Sequence, residues 1–168
     1  MISRPSFAHV ARIARVGTLA GALLVALTLA VPAASVSAQE VKAIHENGML
    51  VTPAQIGKSY FSTLSVQNHD TMQLQNGTLI EAWKITGTRN QCVAISMRSD
   101  EFDSFLELYA VDRITGEMDL LERNDDGGEG VDARIQGRLP ATGTYYVVAS
   151  SADGEAPNAK YTIDFKSC

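Results

Sequence analysis

Residues 79–98 read LIEAWKITGTRNQCVAISMR, two apolar runs joined by a polar, glycine-containing turn. In LIEAWKITG the side chains alternate, with Ile80, Ala82 and Lys84 on one face and Glu81, Trp83 and Ile85 on the other. In CVAISMR the same period sets Val93, Ile95 and Met97 inward and Ala94, Ser96 and Arg98 outward. Successive side chains of a strand point to opposite faces, whereas a helix repeats every 3.6 residues, so both runs are strands.

The pattern continues downstream. FLELYAVD begins at Phe105 and Leu106, EMDLLERN sets Met118 and Leu120 against Asp119 and Leu121, and DARIQGRL offers Ile135 to a core. TYYVVASS (144–151) is apolar on both faces, as a central strand must be, and YTIDF puts Tyr161, Ile163 and Phe165 on one face. Clusters of Gly, Asn and Asp separate these runs roughly every 8–14 residues, the spacing of a sandwich or barrel. No window after residue 38 shows a helical period of useful length. The fold class is therefore all-β: an antiparallel β-sandwich of two packed sheets and about eight strands.

Ahead of the strands, residues 1–38 look like a secretory signal. Arg4, Arg12 and Arg15 come first, then the apolar run GTLAGALLVALTLAV, then Pro32 and the small residues AASVSA. Val36 and Ala38 stand where a cut before Gln39 requires small residues. An uncleaved anchor is the rival reading, because the apolar run nears the ~18–20 residues that span a bilayer. Cleavage leaves no stable membrane insertion. Residues 39–58 form a mixed leader with a short strand at MLV (49–51), and the sandwich occupies 59–168.

Removal of the signal takes three arginines and no acids. The full chain has 14 Lys plus Arg and 19 Asp plus Glu, so the mature part carries 14 − 3 = 11 against 19, or −8. So acidic a chain repels nucleic acid, whose binding needs Lys and Arg on the phosphates. It suits an exported protein, secreted or periplasmic. Two cysteines, Cys92 and Cys168, remain in the mature part. In an oxidising compartment they suggest one disulfide, with two free thiols as the alternative.

Four stretches, SDEFDSFLELYAVD (99–112), LLERNDDGGEGVDARI (120–135), LPATGTYYVVASS (139–151) and AKYTIDF (159–165), occur in an order that resembles the bacterial pre-peptidase C-terminal domain. That module follows secreted proteases and is related to the collagen-binding domain of clostridial collagenases. The resemblance covers about residues 60–168 and implies a non-catalytic, extracytoplasmic β-sandwich of jelly-roll type. No protease domain precedes the module here, so it is expected to act alone or in trans. The positions matching the collagenase calcium segment, Gln73 to Glu81, hold a single acid, so that calcium set does not carry over.

Asn124 to Asp132 (NDDGGEGVD) is the stretch richest in metal-ligand chemistry. Calcium takes six to eight oxygens, and Asp125, Asp126 and Asp132 on a glycine-kinked loop can supply several. The alternative is a turn in which Asp125, Asp132 and also Asp103 bond backbone amides. His45 and His69 sit in polar surroundings at no metal-ligand spacing, and no G-x-S-x-G nucleophile motif occurs. The chain is therefore read as no enzyme, with a carboxylate hydrolase as a minor alternative. Asn76-Gly77-Thr78 is a glycosylation acceptor or a turn. Tyr145, Tyr146 and Tyr161 offer either an aromatic binding face or core packing. The expected function is a module binding a protein, polysaccharide or surface polymer, with a purely structural accessory as the alternative.

Overall fold

A computed structural model describes residues 51–154 and 158–168. The signal segment 1–38, leader residues 39–50 and His45 lie outside the described residues. Ten strands follow one another without a helix among the described residues: β1 (Thr52–Pro53), β2 (Lys58–Leu64), β3 (Thr71–Gln73), β4 (Leu79–Gly87), β5 (Cys92–Arg98), β6 (Ser104–Val111), β7 (Met118–Asn124), β8 (Ala133–Arg138), β9 (Gly143–Ser151) and β10 (Ala159–Lys166). Eight of them are long, matching the number of strands expected; seven of these are read in the sequence, and the eighth, β2, starts at the last residue assigned to the leader. Two short ones, β1 and β3, attach to β4, and β1 does so in parallel.

Two sheets result. One runs β1-β4-β9-β6-β7 with β3 also on β4, and the other runs β2-β10-β5-β8. Among the eight long strands every connection but the β6–β7 hairpin changes sheet, which is the winding of a jelly roll. Thr52–Pro53 begins one residue after the expected MLV strand, and it ties residues ahead of 59 to the sandwich through the Ala54 N–H, which donates to the Lys84 carbonyl at 2.8 Å.

Each strand does what its alternation requires. Trp83 and Ile85 from β4, Val93, Ile95 and Met97 from β5, and Tyr161, Ile163 and Phe165 from β10 meet in the core between the sheets. Trp83 packs near Tyr60 and Phe165, with ring centroids 5.1 Å and 6.1 Å away, inside the range of favourable tilted pairs. β9 is central in its sheet, as its two apolar faces foretold: Val147 faces the inter-sheet core, and Tyr146 and Val148 join Ile80, Ala82, Tyr109 and Leu74 in a second cluster on the opposite face. β7, by contrast, is an edge strand, and Leu120 and Leu121 stay exposed beside Glu122 and Arg123, charges that discourage edge pairing.

Cys92 and Cys168 are joined, with Cα atoms 5.3 Å apart and 76 residues of separation. The bond fixes the chain's last residue to the start of β5. Closing a loop of that length restricts the unfolded chain and stabilises by at most about 4.5 kcal/mol, before any strain. Converting both cysteines to serine is expected to lower the unfolding free energy by about 2–4 kcal/mol, read from urea curves of the two proteins. An unchanged urea midpoint would show that the pairing carries no stability.

Candidate functional site

Three places in the sandwich hold polar chemistry: the interior between the sheets, the acidic loop at 124–132, and the outer face of the four-stranded sheet. They differ in what they can do.

In the interior, Glu81 points from β4 into the core and is 1% exposed. Its Oε2 accepts from the Ser62 hydroxyl at 2.7 Å and from the Tyr161 hydroxyl at 2.7 Å, and the Trp83 indole N–H in turn donates to the Tyr161 oxygen at 3.0 Å. The chain of bonds joins both sheets, because Ser62 and Tyr161 belong to β2 and β10. Burial pushes the Glu81 carboxyl above its ordinary value; the two hydroxyl donors oppose this, and nearby Asp70 adds to it. Burial and the adjacent Glu81 likewise push the Tyr161 hydroxyl well up. The group is thus a buried, satisfied carboxyl with no open approach for a substrate.

The loop between β7 and β8 is organised chiefly by Asn124. Its Oδ1 accepts from the backbone N–H of Gly127 at 2.6 Å and of Arg134 at 3.0 Å. Gly127 and Gly128 are required by close approach: a Cβ on Gly127 would stand 2.6 Å from the Arg134 carbonyl oxygen, and one on Gly128 2.6 Å from the Asp132 Cβ. The role of backbone acceptor expected of Asp125 is filled by Asn124. Asp132 does accept from a backbone amide, that of Ser99.

The loop's carboxylates take part in two separate sets of electrostatic interactions. Asp125 and Asp126, together with Asp153, act on Asp103 from across the end of the sandwich; burial first and these charges second raise the Asp103 carboxyl. The Asp103 Oδ1 is buried without a hydrogen-bond partner. Asp132 is raised by burial and by Asp100 and Glu129, against the pull of Arg98. Among the described residues, no three His, Cys, Asp or Glu side chains are gathered to hold a metal ion.

The third place was not singled out from the sequence. A shallow groove of roughly 400 Å³ lies on the four-stranded sheet, lined among others by Phe61, Thr63, Arg98, Glu101, Lys160 and Thr162. Strand pairing builds it: Phe61 stands opposite Thr162, and Thr162 opposite Arg98, so three strands place these side chains in one row. Phe61 is 86% exposed. The next row holds Ser59, Asp164, Ser96 and Arg134. Burial works against the charge on Asp164, but the Ser59 hydroxyl and the cations Arg98 (2.8 Å) and Lys166 (3.5 Å) outweigh it, so its carboxyl lies below the ordinary value. The alternation in AKYTIDFK and ARIQGR was the available signal; what it lacked was the pairing that makes these strands neighbours of β5.

The remaining candidates resolve simply. Tyr145, Tyr146 and Tyr161 are all buried, so they pack and present no aromatic face. The Asn76 side chain accepts from the Thr78 N–H at 3.1 Å, and Gly77 adopts φ 92°, a turn that favours glycine. His69 is exposed between β2 and β3.

No family model and no curated protein matches the sequence. The fold, however, is that of the pre-peptidase C-terminal domain of a collagenase from Bacillus anthracis: the TM-score is 0.51 at 9% identity, covering 70% of this chain and 95% of that one. The resemblance read from four sequence stretches is therefore met at the level of the fold. Two other solved structures are similar at lower scores. CorA, a surface-associated copper-binding protein of Methylomicrobium album BG8, gives 0.49 at 9% identity over 70% of this chain and 98% of its own. PliG of Aeromonas hydrophila, a periplasmic inhibitor of g-type lysozyme, gives 0.45 at 15% identity over 68% and 96%.

The buried carboxyl makes stability depend on pH in a predictable sense. Because the folded state holds the Glu81 proton more tightly than the unfolded chain does, its contribution is full below the ordinary carboxylate range and is lost as pH rises through the raised value. Glu81→Gln keeps an acceptor for Ser62 and Tyr161 and removes the titration. Its stability relative to the parent is expected to rise as pH increases from the ordinary carboxylate range through the raised value of Glu81, and to level off above it, in urea unfolding. A difference that does not change with pH would contradict the assignment.

Proposed function

We propose that this chain is an exported, non-catalytic β-sandwich module that binds a partner through the outer face of its four-stranded sheet. Export is supported by the basic, apolar and small-residue order of residues 1–38 and by the Cys92–Cys168 bond, which persists in oxidising compartments. The observation that carries the binding reading is Phe61. A lone exposed apolar side chain is ordinary on a protein surface. Phe61 differs because it lines a groove with charged and hydroxyl side chains from three paired strands, while the three candidate tyrosines are buried. Full burial of the ring would stabilise by about 1.5–3 kcal/mol relative to exposure, so a partner that covers it gains a comparable increment.

The experiment is retention of the oxidised protein on a panel of polysaccharides and cell-surface polymers, wild type against Phe61→Ser. Retention that falls at least tenfold in the variant, with an unchanged melting temperature, supports the reading. Retention of neither protein leaves the purely structural accessory, and equal retention of both overturns the role given to Phe61 and this face.

A calcium ion on the acidic loop is the second element of the proposal, with Asp125 and Asp126 as its first ligands and Asp132 at the far end of the loop. Its support is electrostatic: a cation there relieves the repulsion that adds to burial in raising Asp103. Since three carboxylates are not already gathered, backbone oxygens and water would have to complete the six to eight that calcium takes. At about 100 times its dissociation constant, calcium is expected to add about 2.7 kcal/mol to stability, seen as a rise in melting temperature. The rise should vanish in chelator and in Asp125→Asn/Asp126→Asn. No shift at millimolar calcium would leave the loop as a turn set by Asn124 and its two glycines.

A further inference from the structure

Charge is segregated on this molecule. The chain has a net charge of −5, yet one face of it is basic. Alternation places Lys160 and Lys166 of β10, Arg98 of β5, and Arg134 and Arg138 of β8 on the outer side of the four-stranded sheet, and all five are exposed. On these three strands Asp164 is the sole acid of that face, and it is buried beneath Arg98 and Lys166. Of the ten Lys and Arg residues between 51 and 168, half therefore stand on this one surface. Two acids, Asp100 and Glu101, line the groove at the rim of this face, and others gather at Asp103, Asp125, Asp126 and Asp153 on the loops at one end.

Resting on the binding reading above, we infer that the ligand of this face is an anionic polysaccharide, one whose sugar rings carry carboxylate or sulfate groups. Three observations select it. First, the cations are complementary to a polyanion, and no described element covers them. Second, the exposed apolar content of the groove is one ring, Phe61, flanked by Thr63 and Thr162, while Tyr161 behind it is buried. A pyranose has an apolar face of C–H groups that stacks on an aromatic ring and a rim of hydroxyls that hydrogen-bonds to such neighbours. A protein partner of standard size would instead bury about 800 Å² with an apolar centre, which this face lacks. Third, the cations are widely spaced. Alternate residues of a strand are about 6.8 Å apart and adjacent strands about 4.8 Å. That spread suits a polymer with one charge per ring better than duplex DNA, with one charge per ~1.7 Å.

The division of labour follows. Phe61 orders one ring in the groove, and Lys160, Arg134, Arg138 and Lys166 guide the flanking charges along β10 and β8. Arg98 is held against Asp164 at 2.8 Å and serves the sheet as well as the ligand. Because the cations are exposed, their attraction is screened within a Debye length of about 10 Å at 0.1 M salt, so binding should be strongly salt-dependent.

The test uses the whole oxidised protein and four probes: polygalacturonate, dextran sulfate, neutral dextran and a DNA duplex. Affinity is measured by titration calorimetry at 20 mM and 300 mM sodium chloride. Arg134→Gln/Arg138→Gln is compared with the parent, with Phe61→Ser, and with Glu117→Gln/Asp119→Asn, exposed acids at the β7 edge of the other sheet, as a charge control. We expect one or both anionic polysaccharides to bind at low salt, with affinity at least tenfold weaker at 300 mM and at least tenfold weaker in the double arginine variant. Neutral dextran should not bind, and Glu117→Gln/Asp119→Asn should bind no more weakly than the parent. Which of the two polymers binds distinguishes carboxylate from sulfate as the recognised group. Neutral dextran bound as tightly as the charged polymers, with loss only in Phe61→Ser, would overturn the anionic inference and keep the binding reading. DNA bound more tightly than either polysaccharide would overturn the choice of polymer. No binding of any probe by a protein with the parent melting profile would sink both.

Discussion

The pairing of β10 between β2 and β5 is the constraint on which the rest of this sandwich depends. β10 is the last strand made and yet the second in its sheet, so β2 and β5 have no common neighbour until the chain is complete. Residues 105 apart, Ser59 and Asp164, meet across this pairing. Loop-closure entropy must be met before contacts so distant return any stabilisation, which makes such a topology slow to form. The Cys92–Cys168 bond acts on the same strand: it anchors the end of β10 to the strand beside it and limits the conformations of the unfolded chain.

The same strand carries the two kinds of chemistry that distinguish the molecule. Its inward residues complete the core, and one of them, Tyr161, links Trp83 and Glu81 across the two sheets. Such a network is stabilising only when every member is satisfied, since an unpaired polar group in a low dielectric is costly. Here the hydroxyls of Ser62 and Tyr161 both serve Glu81, and the price is a carboxyl whose ionisation is opposed by burial. The outward residues of β10 (Lys160, Thr162, Asp164 and Lys166) form the middle of the basic face. Core and candidate surface are therefore two sides of one strand.

The acidic loop illustrates how similar sequences serve different ends. An Asp-Asp-Gly-Gly run has the composition of a cation loop and of a tight turn alike. In this fold the glycines are needed because backbone passes within 3 Å of where a side chain would begin, and Asn124 supplies the turn's acceptor. The carboxylates then fall outside the turn's own bonding, and two of them add to the negative field around Asp103.

What the sequence by itself determined was local. Period two assigned strands in LIEAWKITG, CVAISMR and YTIDF, and the sets Val93, Ile95, Met97 and Tyr161, Ile163, Phe165 each share the core, because a strand's alternation is a property of its own backbone. The two apolar faces of TYYVVASS likewise foretold a central strand, and the single cysteine pair foretold its bond. The tertiary structure decided what depends on neighbours. It buried Tyr145 and Tyr161 between the sheets and Tyr146 on the opposite face of β9, left Leu120 and Leu121 on an edge, and put Asp132 under the influence of Arg98. It also assembled Phe61, Arg98, Lys160 and Arg134 on one surface from four strands far apart in the chain. Pairing order is set by the whole core at once, and no single stretch of residues contains it.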